Sequence, residues 1–269
     1  MQRGDTVFAG SVPDLYDAHL GPLLFEPYAA DIAKRVQTRP ARSILETAAG
    51  TGRVTRALAD AMPDASITAT DLNRGMIAVG AARATSPNVR WQPADMLALP
   101  FESATFDVVV CQFGVMFVPD QTAAFREALR VLAPGGRFLF NVWDAIERNE
   151  VTDVVSRTVA EAALPPGVQT FMQRTPHGHG DPVAMERKLR DAGFSHVVVE
   201  AVDGRSRASS ARGPALGIVQ GTPMAAQIEA HAPGTLADVT ARAERALIEY
   251  FGNGPIDGAM RAFVFEAQP

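Results

Sequence analysis

From Ser43 onward, short apolar runs rich in β-branched residues alternate with segments whose apolar positions recur every three to four residues. The first kind reads as strands and the second as amphipathic helices, and their alternation is the pattern of βαβ units around a parallel sheet. The spacing predicts strands over residues 43–47, 66–71, 88–92, 106–112 and 137–142, with helices over 53–61, 74–84 and 122–132 between them. Ala133-Pro134-Gly135-Gly136 is expected to end the last of these helices and turn the chain into the fifth strand, because proline cannot continue a helix and glycine tolerates the turn. A helix over 151–163 follows, stopped by Pro165-Pro166, and then a loop rich in His, Gly and Pro. A helix over 182–192 leads through Gly193 to a sixth strand over 196–202. Residues 203–255 are less sheet-like, with helical periodicity strongest over 236–250, and 259–266 returns as a last strand. Ahead of the first strand, residues 14–36 mix aromatics, His and Pro at helical spacing. They read equally as a lid over the strand ends or as a helix packed on the sheet.

The turn after the first strand changes this from a fold to a site. Ser43-Ile44-Leu45-Glu46 runs into Thr47-Ala48-Ala49-Gly50-Thr51-Gly52 and directly into a helix. In a doubly wound sheet such a turn lies at the carboxyl end of the first strand, where bare backbone lets a nucleotide-like ligand approach the helix N-terminus. Gly50 and Gly52 alone are weak support, since glycines also mark ordinary strand-to-helix turns. Asp71 strengthens it: it ends the second strand nineteen positions after Gly52, where an acid can accept both hydroxyl protons of a ribose, or cap the following helix. A dinucleotide fingerprint would require a third glycine, and that position is Thr55. The dinucleotide is therefore disfavoured.

Composition narrows the partners. With 269 residues, 47% hydrophobic and 20% charged, the chain is long enough to bury a large core. A formal charge of -5 argues against a nucleic-acid backbone as partner, which needs clustered Lys and Arg. Cys111, the single cysteine, can form neither an internal disulfide nor a zinc cluster, which suits a reducing cytoplasm. Residues 1–12 hold no apolar core of signal-peptide length, and no stretch approaches a membrane span, so a soluble, cytoplasmic protein is expected.

Taken together, Ile44-Leu45-Glu46-Thr47-Ala48-Ala49-Gly50-Thr51-Gly52, Asp71, Ala94-Asp95-Met96, the strand from Phe106 to Gln112 and Leu129-Arg130-Val131-Leu132-Ala133-Pro134-Gly135-Gly136-Arg137 occur in an order that resembles the class I S-adenosylmethionine-dependent methyltransferases. The likeness covers roughly residues 43–143, and within the family it is most similar to the ubiquinone/menaquinone methyltransferase branch. It implies a Rossmann-like α/β fold: a doubly wound, seven-stranded mixed sheet with helices on both faces, its last strand antiparallel, under a helical cover. The implied organisation is an N-terminal helical lid (1–42), a cofactor-binding core (43–203), a helical cover (204–257) and a returning strand (258–269). S-adenosylmethionine is the implied cofactor. The resemblance implies that Glu46 orients the methionine amino group, that Ala48, Gly50 and Gly52 line the methionine and ribose, and that Asp71 holds the ribose hydroxyls. It places Leu72 and Met76 by the adenine, Asp95 and the Met96 backbone at its edge, and Gln112 at the methionine end. Ala48 departs from the family, which usually has glycine there, and Ala49 stands where cysteine is common; each adds a methyl, so slight remodelling of the pocket floor is expected.

An activated sulfonium needs alignment with an acceptor and exclusion of water rather than a covalent nucleophile. A hydroxyl acceptor gains from a base, and histidine titrates in the useful range. His19, beside Tyr16, is the first candidate, and His177-Gly178-His179-Gly180-Asp181 the second. The H-x-H-x-D spacing could suggest a metal, but the chemistry needs none and no metal is expected. The partner expected is a small, hydrophobic or aromatic methyl acceptor, walled by residues such as Phe25, Tyr28, Phe113, Met116, Phe117, Trp143 and Phe171. The oligomeric state stays open, with a homodimer among the options. The competing functions are a nicotinamide-dependent oxidoreductase and a noncatalytic S-adenosylmethionine-binding protein.

Overall fold

A computed structural model of the protein describes residues 12–83 and 86–269. The first eleven residues of the expected lid, and Ala84 at the end of the second predicted helix, lie outside the described residues. Helix α1 (Val12–Leu15) passes into a π-helical stretch, Tyr16–Phe25, and α2 (Glu26–Gln37) restores the α-helical pitch. Pro22 lies inside the π-helical stretch; a proline has no N–H to give and crowds the preceding turn, so a wider helix suits it. Then follow β1 (Ser43–Glu46), α3 (Arg53–Ala61), β2 (Ser66–Asp71), α4 (Arg74–Arg83), β3 (Val89–Pro93), β4 (Phe106–Gln112), α5 (Gln121–Val131) and β5 (Leu132–Trp143). The remainder is α6 (Glu150–Ala163), α7 (Phe171–Arg174), α8 (Pro182–Ala192), β6 (His196–Ala208), α9 (Arg212–Gln220), α10 (Met224–His231), α11 (Leu236–Phe251) and β7 (Ile256–Gln268).

The seven strands form one sheet in the order β3-β2-β1-β4-β5-β7-β6. The pairs β1–β2, β1–β4, β2–β3 and β4–β5 are parallel. The direction of β7 follows from its partners. Phe140 stacks on Phe265 while Asp144 N–H donates to the Arg261 carbonyl, so numbering falls along β7 as it rises along β5. Ser195 N–H to the Gln268 carbonyl, Arg261 to Asp203 and Arg205 to Asp257 give the same opposition with β6. The sheet is therefore mixed, with β7 antiparallel to both neighbours, as the resemblance implies.

Two features depart from the sequence reading. Ala133–Gly136 is not a turn ahead of the fifth strand but a bulge inside it: Phe106 pairs with Leu132 and Val108 with Arg137, so these four residues stand opposite Asp107. Gly135, at φ +77°, supplies the left-handed residue that such a bulge needs. Strands β6 and β7 are also longer than expected, because their outer ends are held by charge pairs such as Arg205 Nε to Asp257 Oδ1 (2.6 Å) rather than by apolar alternation.

The chain divides into two compact units. One comprises Tyr28–Val142, Asp181–Val202 and Phe263–Pro269 and carries most of the sheet. One cluster of its core is aliphatic: Ile32, Ala33 and Val36 of α2 and Leu58 of α3 are buried with Ile44, Ile67, Val108 and Leu139 of four neighbouring strands. From Ala29 on, α2 is thus a helix packed on the sheet. At about 25 cal/mol per Å² of apolar surface, each such buried side chain contributes roughly 1.5–3 kcal/mol, before conformational entropy is charged against it. The other unit takes in residues 12–27, Trp143–Gly180 and Asp203–Ala262. In it the apolar faces of α6, α9 and α11 are buried, through Val155, Ile218 and Leu247 among others. Among the described residues no helix is long and apolar enough to cross a membrane.

Candidate active site

β1 has β2 on one side and β4 on the other. The chain leaves β1 through α3 toward β2 and later returns to β4 on the far side, so the carboxyl ends of β1 and β4 flank the topological switch point, where open α/β sheets bind ligands. The glycine turn occupies that end. Thr47 N–H donates to the Val110 carbonyl of β4 (2.9 Å) and Ala49 N–H to the Thr70 carbonyl of β2 (2.9 Å), which ties the turn to both neighbours. Gly50 and Gly52 have φ of +55° and +80°, and a Cβ at Gly50 would meet nothing within 4 Å. The turn is therefore bare and open there. Gly52, the residue ahead of α3, has no side chain of its own to cap the helix.

Two carboxyl groups flank this opening. Asp71 Oδ2 accepts from Gly50 N–H (2.8 Å) and Oδ1 from Asn73 N–H (2.7 Å), so the acid at the tip of β2 is fixed by backbone on both sides. Burial pushes its carboxyl above the usual range, against the pull of those N–H groups. Glu46, at the end of β1, is buried and pushed up to about 8 by desolvation, with the Thr55 hydroxyl donating to Oε2 at 2.5 Å. Thr55 stands where a dinucleotide-binding turn has its third glycine; it is fully buried and used to hold Glu46.

The other expected cofactor residues are placed as follows. Leu72 follows Asp71 and is 68% exposed, an apolar side chain held in water at the strand tip. Met76 is buried on α4. Asp95 is exposed, and its Oδ1 accepts from Leu97 N–H (2.9 Å), so it caps the turn after β3, with Met96 half-buried beside it. Gln112 pairs in register with Asn141 of β5. Glu46, Asp71 and the glycine turn are thus brought together by direct hydrogen bonds or adjacent strands, whereas Asp95 joins them only through the Ala94 N–H to Asp71 carbonyl bond (3.1 Å). This set of groups fits an adenosine bearing a cationic amino-acid tail: paired hydroxyls can donate to Asp71 and an ammonium to Glu46, a flat base suits Leu72, and Gly50 leaves the room.

Sequence reasoning missed Trp91. A Cβ at Gly52 would lie 2.9 Å, and one at Gly80 2.5 Å, from its Cη2 atom, so the indole is wedged between the turn and α4 and both positions must be glycine. Gly80 in the middle of a predicted helix was the available signal. It also missed a pair of non-glycine residues in left-handed backbone, Ala48 (φ +51°) and Phe113 (φ +52°), at the ends of β1 and β4. The Ala48 methyl fits because residue 114 has none: a Cβ on Gly114 would be 2.4 Å from it.

His19 lies half-exposed in the π-helical stretch, packed against α9, where a Cβ at Gly217 would come within 2.8 Å of the His19 Cβ. The H-x-H-x-D run disperses: Asp181 caps α8 through Val183 and Ala184 N–H, while His177 is buried with Nδ1 2.8 Å from the Asp144 carbonyl. Burial pushes His177 down to about 4, so it is neutral at physiological pH. Among the described residues no group of three metal-ligating side chains forms. Cys111 is buried and its thiol is pushed up to about 11, which leaves no thiolate for nucleophilic chemistry.

The sequence model of a family described as a methyltransferase domain matches residues 44–136. The ubiquinone/menaquinone biosynthesis C-methyltransferase UbiE of Caulobacter vibrioides is 39% identical over 117 residues, 40% of this chain and 46% of that protein. The demethylmenaquinone methyltransferase of Streptomyces griseus is 31% identical over 175 residues, 62% of this chain and 74% of that protein. The match thus spans about half the length of the first of these relatives and three quarters of the second. Among solved structures, the [4+2]-cyclase SpnF aligns with a TM-score of 0.61 at 19% identity, over 96% of this chain and 93% of that one, a likeness of fold.

Proposed function

The chain belongs to the class I S-adenosylmethionine-dependent methyltransferases, in the ubiquinone/menaquinone methyltransferase-like branch, and on that premise we propose that it methylates a small, hydrophobic or aromatic metabolite. The observation that carries the reading is the pair of carboxyl groups, Glu46 and Asp71, on either side of an open, bare Gly50. S-adenosylmethionine, when bound, supplies a methyl group on a positively charged sulfur that is already an activated leaving group. The protein's share is to hold, orient and keep water out. In this reading Asp71 accepts from the ribose hydroxyls, its aim fixed by the Gly50 and Asn73 N–H groups, and Leu72 covers one face of the base. Glu46 receives the ammonium, with Thr55 keeping the carboxyl in place.

The acceptor class follows the named relatives: we assign a reduced quinone ring or similar phenol, whose hydroxyl proton is taken by a base so that the ring gains nucleophilic character. His19 is the residue proposed for that role. The test is S-adenosylhomocysteine release over a panel of phenols and quinols. Turnover with one of them is expected, and His19→Ala should lower kcat about 100-fold at unchanged S-adenosylhomocysteine affinity. Unaltered turnover would remove His19 from the mechanism, and tight cofactor binding without turnover on any acceptor would favour a noncatalytic binder.

Glu46 gives this reading a pH signature. In the ligand-free protein its carboxyl keeps a proton that the unfolded chain has lost between about pH 4.5 and about 8, so the stability it contributes is present at low pH and lost as pH rises through about 8. A bound ammonium favours the carboxylate, so binding should expel that proton. Calorimetry of S-adenosylhomocysteine binding at pH 6.5 in two buffers of different protonation enthalpy is expected to show about one proton released. Glu46→Gln should release none. Equal heats in the two buffers for the unaltered protein would mean that no ammonium reaches Glu46.

A further inference from the structure

Asn141 is fully buried near the end of β5, in a run that is otherwise apolar and aromatic, Phe138 to Trp143. Its orientation is fixed by chemistry: Phe113 N–H donates to Oδ1 at 2.9 Å, and since an N–H can only meet the oxygen, Nδ2 must point the other way. Among the described residues Nδ2 has no hydrogen-bond partner. A buried amide NH2 left unmet is costly, and such groups persist where something else supplies the acceptor. The residue that fixes it, Phe113, holds left-handed backbone at the carboxyl end of β4, and strain of this kind gathers at ligand sites. Asn141 also pairs in register with Gln112, one strand beyond the switch point on the side away from Asp71. With the ribose acid on β2, the tail of the cofactor and whatever receives its methyl group extend toward β4 and β5.

We propose that the Asn141 side-chain amide is a ligand-binding donor that takes an oxygen of a molecule bound at the switch point, either the carboxylate of the cofactor's amino-acid tail or an oxygen of the methyl acceptor. This rests on the methyl-transfer reading. Phe113 is its positioning partner, holding the amide so that the two Nδ2 hydrogens face the ligand rather than the strand.

The test compares the unaltered protein with Asn141→Asp, which keeps an oxygen for the Phe113 N–H but turns the donor into a second acceptor. Asn141→Ala serves as a second variant should the aspartate fail to fold. Three calorimetric titrations are read: S-adenosylhomocysteine; 5′-methylthioadenosine, which lacks the carboxylate; and 1,4-dihydroxynaphthalene added to protein saturated with S-adenosylhomocysteine. If Asn141 meets the carboxylate, S-adenosylhomocysteine weakens about tenfold or more and methylthioadenosine does not change. If it meets the acceptor, both nucleosides keep their affinity and the naphthalenediol weakens by that factor. Either result supports the proposal. Affinities within twofold of the unaltered protein in all three titrations, including no detectable binding of the naphthalenediol by either protein, overturn it and leave Asn141 a packing residue. Failure of the unaltered protein to bind S-adenosylhomocysteine is a different result, and overturns the methyl-transfer reading together with this one.

Discussion

Replacing Asp71 by alanine is expected to weaken S-adenosylhomocysteine binding by a factor of 100 or more. Two ribose hydroxyls each donating to a carboxylate form charge-assisted bonds, at about 1.5–3 kcal/mol apiece, and every 1.4 kcal/mol is tenfold in affinity. Stability is expected to fall as well. The same carboxylate accepts from Gly50 and Asn73 N–H, so its removal also loosens the glycine turn and the start of α4. Since water can reach these half-buried groups, we expect a further loss of about 2 kcal/mol in stability, a fall in Tm of roughly 4–8 °C. Asp71→Asn, which keeps one oxygen and the shape, should fall between. Calorimetry and thermal melts on the same preparations separate the two effects, and affinity within threefold for Asp71→Ala would show that this acid does not hold the ribose.

Gly114→Ala should be the most destabilising single methyl that can be added near the site. Its Cβ would lie 2.4 Å from the Ala48 Cβ and 2.6 Å from the Cys111 Sγ, distances at which backbone or core must shift. Overpacking of this severity costs about 3 kcal/mol, or roughly 6–12 °C in Tm for a chain of this size. Ala48→Gly should act in the opposite sense, raising stability by up to about 1 kcal/mol, because alanine at φ +51° carries a left-handed penalty that glycine does not. The double variant should recover at least 1 kcal/mol more than the two single effects predict, since removing the Ala48 methyl opens the space that the new one needs. Strict additivity in urea melts would show that the two positions do not compete for the same volume. The resemblance to the family, in which position 48 is usually glycine, led the sequence reading to expect only a slight remodelling there. Ala48 is accommodated by the bare Gly114, a compensation that no single-position comparison reveals.

What was legible in the sequence was what periodicity encodes. Helices over 53–61 and 182–192 and strands over 66–71 and 106–112 coincide with the structure, the first three because a glycine or acid marks an end of each, the last through its run from Val108 to Cys111. The Pro134-Gly135-Gly136 bulge was read as a turn because the same residues serve both, and only the pairing of Phe106 with Leu132 tells them apart. The outer ends of β6 and β7 escaped a reading based on apolar alternation, as they are held by Arg205, Asp257, Arg261 and Asp203 across the strands. At the site, Glu46, Gly50, Gly52 and Asp71 were visible because each ends a strand or forms the turn. The Trp91 wedge and the Asn141–Phe113 bond were not, since they depend on contacts between residues 11 to 39 positions apart and on one backbone angle.

The central claim is that the turn from Glu46 to Gly52, with Asp71 beside it, receives an adenosine carrying a cationic amino-acid tail. Titration calorimetry of the unaltered protein with S-adenosylhomocysteine and, separately, with NAD tests it directly. The account predicts micromolar or tighter binding of the first, about −8 kcal/mol or better, and none of the second. Binding of NAD with no response to S-adenosylhomocysteine would contradict it.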